Sequence, residues 1–198
     1  MIWRTAYPRI AGYFEAETGQ RLAAGIKILA KVAVNYHELY GFSLQITDID
    51  PTYTLGDMER QRQMTIAQLQ KEGVWDMNRE APMPVVVQRV AVVSSANAAG
   101  YQDFRKELAK SPYRFEVTLF DAFMQGAAAE ESIVTALCAV AERMDEFDAV
   151  VLIRGGGSAS DLNCFNAYRL CAHMAQFPLP ILTCLLYTSD AADEGLGV

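Results

Sequence analysis

For the longer, C-terminal part of the chain the sequence predicts an α/β domain built on a parallel, doubly wound sheet. Three observations predict it. From Val85 onward four short apolar runs alternate with segments of helical period, which is the pattern of βαβ units. The helical segments carry one apolar stripe each, as in Ile133, Leu137, Val140 and Met144, so they are suited to cover a sheet. Two of the strand-to-helix loops are rich in glycine, serine and aspartate, and in such sheets these loops face the ligand. With 198 residues, 52% of them apolar and 21% charged, the chain has the composition of a folded protein, which excludes disordered, collagenous and low-complexity classes.

The elements are justified in order. Between Thr5 and Thr18 a short helix is expected, followed by two strands joined by a turn around Tyr40 and Gly41. Ile26, Ile28, Ala30, Val32 and Val34 alternate with mostly polar neighbours, and Phe42, Leu44 and Ile46 form the second run. Residues 1–50 then read strand, helix, strand, strand. That is too few elements to close a barrel, so the segment is expected to be the second half of a small β domain. Residues 54–73 are polar and helix-favouring, and Gly73 stops them as a connector helix. Pro82 and Pro84 place a domain boundary near Pro84. Strands are expected at Val85–Val93, Phe115–Asp121, Asp148–Ile153 and Leu179–Thr183, with helices at Tyr101–Lys110, Ala128–Met144 and Asn163–Ala175 between them. A sheet of this type needs a fifth strand with its covering helix, and 15 residues follow Thr183, so the domain is expected to be truncated. The last residues show neither period and resemble translated adapter sequence. The expected division is therefore 1–52, 53–84, 85–183 and an artefactual tail, 184–198.

Seventeen basic against 24 acidic residues give a net charge of −7, which argues against a nucleic-acid reader with a broad basic surface; any such binding must be local. The N-terminus lacks a signal-peptide pattern and no run approaches a membrane span, so a cytoplasmic protein without membrane contact is expected. Cys138, Cys164, Cys171 and Cys184 form no C-x-x-C pair and are expected to be buried free thiols. His37 and His173 lack acidic or cysteine partners at ligand spacing and read as ordinary structural or surface residues. Aromatic residues near the N-terminus, among them Trp3, Tyr36 and Phe42, suit base stacking, but such residues more often form the core and rim of a barrel.

Chemistry is expected outside the carboxyl ends of the strands, where strand order reverses. The loop SSANAAGYQDF at 94–104 offers the hydroxyls of Ser94 and Ser95, backbone N–H groups near Gly100 and the carboxylate of Asp103. The loop IRGGGSASDL at 153–162 offers Arg154, three glycines (Gly155, Gly156 and Gly157) that can turn N–H groups toward one point, and Ser158, Ser160 and Asp161 at a helix start. This makes an anion cradle, but its pattern is neither a dinucleotide fingerprint nor a Walker loop. With a strand order of 2-1-3-4 the two loops face each other, and Asp103 and Arg154 are expected to meet at one phosphate. An arginine grips phosphate oxygens and a carboxylate positions or deprotonates water, a combination suited to phosphodiester hydrolysis. Equally, the glycines can form a simple strand-to-helix turn and Asp103 can be a solvated helix residue.

The chain resembles the large subunit of exodeoxyribonuclease VII over about residues 1–183. The resemblance rests on GFSLQITDIDP at 41–51, LQKEGVWD at 69–76, PMP at 82–84, VAVVSSANAAGYQDF at 90–104 and, most specifically, VLIRGGGSASDLNCFN at 151–166. It implies an OB-fold, here only its C-terminal half, that binds single-stranded DNA. It also implies a flavodoxin-like catalytic domain that hydrolyses such DNA from both ends into oligonucleotides, and a helical region that recruits the small subunit. Asp103 and Arg154 match the family's aspartate after the first strand and the arginine before the glycine run, and Gly155, Gly156, Gly157, Ser158, Asp161, Phe165 and Asn166 match the rest of that motif. Ala96 and Gln102 stand where many members have proline and arginine. After its fourth strand the family has a Gly-His-Glu-x-x-Asp segment, whereas here Thr183 leads into Cys184 and Leu185, so the polypeptide as written is expected to be weak or inactive. The family does not uniformly need a divalent ion; none is counted as required, and Mg2+ is the ion Asp103 would hold if one takes part. The alternative is a non-enzymatic flavodoxin-like module that binds a phosphate compound or nucleotide at the same loops.

Overall fold

The computed structural model describes residues 2–19, 21–23, 26–38, 41–155 and 159–185. The chain divides into two compact units, Met1–Gln63 and Met64–Val198.

The first unit holds helix α1 (Tyr7–Thr18) and an antiparallel ribbon of β1 (Leu29–His37) and β2 (Gly41–Asp50). Proline lies in the first turn of α1, where its missing N–H costs nothing, and Gly19 ends the helix at φ +67° with its N–H on the Glu15 carbonyl. Ile10, Phe14 and Thr18, spaced by four, form the buried face, and Ile46, Ile49 and Ala30 pack against it. The expected strand before α1 is replaced by a turn, in which the Trp3 carbonyl accepts the N–H groups of Ala6 and Tyr7. The ribbon pairs Val32, Val34 and Tyr36 with Ile46, Leu44 and Phe42, as the alternation predicts. A bulge beside Lys31 and Val32 shifts the register at Thr47 and brings Ile49 to the face of Ile46. Phe14 is wholly buried and so belongs to the core, whereas Trp3, Tyr36 and Phe42 are exposed.

Helix α2 (Pro51–Lys71) starts three residues earlier than expected, because Asp50 accepts the Thr52 N–H and hydroxyl and Pro51 suits the first helical position. The division between the units falls within α2. Gly73, at φ +72°, ends it as expected.

The second unit contains a four-stranded parallel sheet: β3 (Arg89–Ser94), β4 (Glu116–Asp121), β5 (Ala149–Arg154) and β6 (Ile181–Leu185), in the order β4-β3-β5-β6. This is the 2-1-3-4 order expected. The central strands β3 and β5 are buried almost throughout, which is why they read as continuous apolar runs. Helix α3 (Ala99–Lys110) covers one face through Tyr101 and Phe104 over Val90, Val92, Val151 and Ile153. Helices α4 (Ala129–Ala141) and α5 (Tyr168–Ala175) cover the other, with Ile133, Leu137, Val140 and Leu170 against Ala91, Val93, Val150 and Leu152. Short 3-10 segments at Met144–Glu146 and Ala159–Asn166 overlap the last residue of the helix expected at Ala128–Met144 and the first four of that expected at Asn163–Ala175.

Strand β3 begins four residues later than expected because its neighbours begin there: Glu116 N–H bonds the Gln88 carbonyl, and Asp148 N–H bonds that of Arg89. Strand β6 runs two residues beyond Thr183, with Cys184 and Leu185 paired to Ile153 and Arg154. Residues 186–198 lie outside the described residues. The expectation that all four cysteines are buried is corrected: all are free thiols, but Cys138 and Cys184 are exposed, on an outer position of α4 and on the last described strand. Cys164 and Cys171 are half-buried; Cys171 donates to the Phe165 carbonyl, and burial pushes its pKa up. Among the described residues no helix is long and apolar enough to cross a membrane.

Candidate functional site

Strand order reverses between β3 and β5, so their carboxyl ends lie side by side at the centre of the sheet. Ser94 ends β3 and Arg154 ends β5. Ser94 is fully buried, and its hydroxyl donates to the Ile153 carbonyl at 2.8 Å. That hydroxyl is committed to the seam between the strands rather than turned to solvent.

The loops beyond the two strands meet at a pair of glycines. A Cβ on Gly100 would stand 3.2 Å from Gly155 Cα and 3.3 Å from Ile153 Cγ2, and one on Gly155 would stand 3.3 Å from the Gly100 nitrogen. Such distances are tighter than ordinary carbon contacts, so the backbones approach this closely only because both residues lack a side chain. The contact brings the first turn of α3 against the chain leaving β5. No side chain caps that helix at Ala98, which leaves its N-terminal N–H groups and the positive end of its dipole to other partners.

Arg154 is 3% exposed. Its burial places a guanidinium at the strand end where the glycine run begins. The neighbouring positive charge and helix terminus are suited to a phosphate group.

Asp103 is placed differently. It lies one turn into α3 from Gly100, exposed, with Lys106 Nζ 3.1 Å from its Oδ1. The expected meeting of Asp103 and Arg154 is thus only partial: both belong to the two facing loops, but one is solvated and ion-paired while the other is buried. Ser95 is half-buried, and its carbonyl accepts the Ala98 N–H in the turn that opens α3. Gly156, Gly157 and Ser158 lie outside the described residues, and Asp161 lies within the 3-10 segment Ala159–Asn166. That segment ends at Asn166, whose carbonyl accepts the Thr65 hydroxyl at 3.0 Å.

Two groups that the sequence reading passed over also belong to this edge. Asp121, the last residue of β4, accepts the Ala96 N–H at 2.7 Å, and Gln102 donates its amide to the Ala96 carbonyl at 2.8 Å. Asp121 was readable as the polar terminus of an apolar strand, but its partner 25 residues away was not. His173 is exposed on α5, with Nδ1 2.8 Å from the Arg169 carbonyl. Among the described residues no group of three or more His, Cys, Asp or Glu side chains converges where a metal ion could be held.

The family model described as exonuclease VII, large subunit, matches residues 74–185, the stretch that contains all four parallel strands. The exodeoxyribonuclease 7 large subunit of Deinococcus radiodurans is 36% identical over 194 residues, covering 96% of this chain and 47% of that protein. The protein of the same name from Lactobacillus delbrueckii subsp. bulgaricus is 28% identical over 177 residues, covering 89% of this chain and 38% of its own length. That of Xanthomonas campestris pv. campestris is 30% identical over 168 residues, covering 85% and 37%. The chain spans less than half the length of these curated relatives.

Proposed function

Since the chain belongs to the exonuclease VII large-subunit family, we propose that it carries the phosphate-binding half of an active site that hydrolyses single-stranded DNA from both ends to oligonucleotides. The observation that carries this reading is the Gly100–Gly155 approach, which sets the uncapped start of α3 against the loop led by buried Arg154. Arg154 holds the scissile phosphate with the N–H groups of the glycine run and offsets the charge that builds on its oxygens as water attacks phosphorus. Ser95, Ser158 and Asp161 are assigned to phosphate binding by their place in the two sequence motifs, and Ser94 fixes the seam between the strands. Asp103 orients the attacking water, released for this from its ion pair with Lys106. No divalent ion is required, and Mg2+ at most assists through Asp103. Residues 1–52 form the C-terminal half of an OB-fold that guides the strand, 53–84 the connector, and 85–183 the flavodoxin-like catalytic domain. Cys184 and Leu185, which complete β6, belong to that domain as well, so the tail is read as starting after Leu185. A small subunit is the protein partner, and the cytoplasm the site of action.

The family match supports this reading over a non-enzymatic phosphate-binding module. The test is binding and cleavage of a fluorescent, phosphate-terminated oligothymidylate, with EDTA present in a parallel series. The chain should bind the single strand in preference to its duplex and release short products slowly, with EDTA making little difference. Arg154→Ala should weaken binding and lower cleavage by about 10²–10³-fold. Equal behaviour of Arg154→Ala and the unaltered chain would overturn the assignment.

A further inference from the structure

The main chain of Ala96 is held from both sides, its N–H by Asp121 Oδ1 at 2.7 Å and its carbonyl by Gln102 Nε2 at 2.8 Å. Ala96 lies between the end of β3 and the start of α3. Asp121 stands opposite Ser94 in the strand register, and the next N–H, that of Ala122, bonds the Ser94 carbonyl at 3.0 Å. The carboxylate is therefore anchored to the sheet, whereas the residue it holds belongs to the loop. Holding Ala96 fixes the path by which the chain enters α3, and so where Gly100 meets Gly155.

The charge of Asp121 makes this placement informative. It is exposed on the carboxyl edge of the sheet, the edge that carries Arg154 and the anion cradle, and a negative charge there repels a phosphate. As a hydrogen-bond acceptor it does the opposite service, by holding the donors of α3 in place. The two effects separate on substitution, because asparagine keeps an acceptor oxygen and loses the charge.

We propose that Asp121, with Gln102, is a positioning residue that clamps the Ala96 peptide so that the N-terminus of α3 meets the phosphodiester. This rests on the nuclease reading, and Asp121 acts through the loop without touching the scissile phosphate. The test compares Asp121→Ala, Asp121→Asn and the unaltered 198-residue chain in three measurements: affinity for the labelled oligothymidylate, amide hydrogen exchange at Ala96, and the thermal midpoint. Asp121→Ala should weaken affinity about 5–10-fold and speed exchange at Ala96. Asp121→Asn should restore both, with affinity equal to or above that of the unaltered chain, while thermal midpoints stay within about 2 °C, as expected for exposed substitutions. Ala96→Pro removes the donor, so adding Asp121→Ala to it should weaken affinity no further.

Loss in Asp121→Asn equal to that in Asp121→Ala would overturn the proposal, because the charge and not the acceptor would then matter. Unchanged affinity in both variants would also overturn it. If the unaltered chain binds the oligonucleotide no better than Arg154→Ala, the nuclease reading fails instead. Exchange at Ala96 still decides the clamp in that case, since it should quicken in Asp121→Ala and recover in Asp121→Asn.

Discussion

The two ends of the parallel sheet are built on opposite plans. At the amino end, polar groups are used up by one another. Asp148 accepts the N–H groups of Gln88 and Arg89 at 2.9 and 2.7 Å and the Arg89 guanidinium at 2.6 Å, which together hold its pKa down at about 2. Asn78 donates to the carbonyls of Phe177 and Leu179 and accepts the Ile181 N–H, closing the entry to β6 with three bonds. At the carboxyl end a helix starts without a side-chain cap, two backbones touch where no side chain fits, and a cation is buried. One end holds the fold together through paired polar groups, and the other is the edge to which we assign phosphate binding.

The sharpest test of that contrast is Asn78→Ala. It removes three bonds from a half-buried site, at about 1 kcal/mol each, so denaturant unfolding should show a loss of about 3 kcal/mol with oligonucleotide affinity unaltered. Gly100→Ala should behave in the reverse way. The added methyl must push Gly155 or Ile153 by a few tenths of an ångström, and affinity should fall about 10–10²-fold, while the thermal midpoint moves by only a few degrees. If both variants lost stability and affinity together, the two ends would not be separable.

Acid should weaken the amino end through Asp148. Asp148 is depressed in the folded state, so its contribution is complete above the unfolded value near 3.8 and disappears as pH falls toward about 2. With Arg89 half-exposed to screening solvent, about 1–2 kcal/mol should be lost across that window, and Asp148→Asn should flatten it in a titration of unfolding free energy. The smallest effect belongs to a position outside both ends: Gly73→Ala, at φ +72°, should cost about 1 kcal/mol and leave binding untouched.

Much of the sheet is legible in the sequence because its signals are local. Buried runs such as Val90–Val93 and Val150–Ile153 announce central strands, and the glycine-rich loops announce the edge where function gathers. The facing of the two loops depends on the strand order, which those local signals leave open and the sheet supplies as β4-β3-β5-β6. What escaped is non-local or ambiguous in period. The bulge is written in the sequence as a change of parity, Ile46 then Ile49, which a strict alternation misses. Asp121, Asn78 and Asp148 are ordinary polar residues until their partners, 25 to 103 positions away, are known. Ala96 and Gln102, read as departures from the resembled pattern, prove to be bonded to each other. Asp103 shows the opposite failure: the motif marks the residue, but only its helix position reveals the solvent and Lys106 around it.

The bond between Ser94 and Ile153 spans 59 residues of chain. Strand β4 and helix α4 lie within that span, and the crossover they form must be in place before β5 can dock beside β3. Contacts of such long range come late in folding, because the loop they close must lose its freedom first. During synthesis, a chain that has emerged only as far as α4 carries the first loop and its carboxylate but no arginine and no glycine run. The site we propose for phosphate therefore forms only once β5 has docked beside β3, and a chain unfinished at α4 still lacks the Arg154 and the glycine run assigned to it.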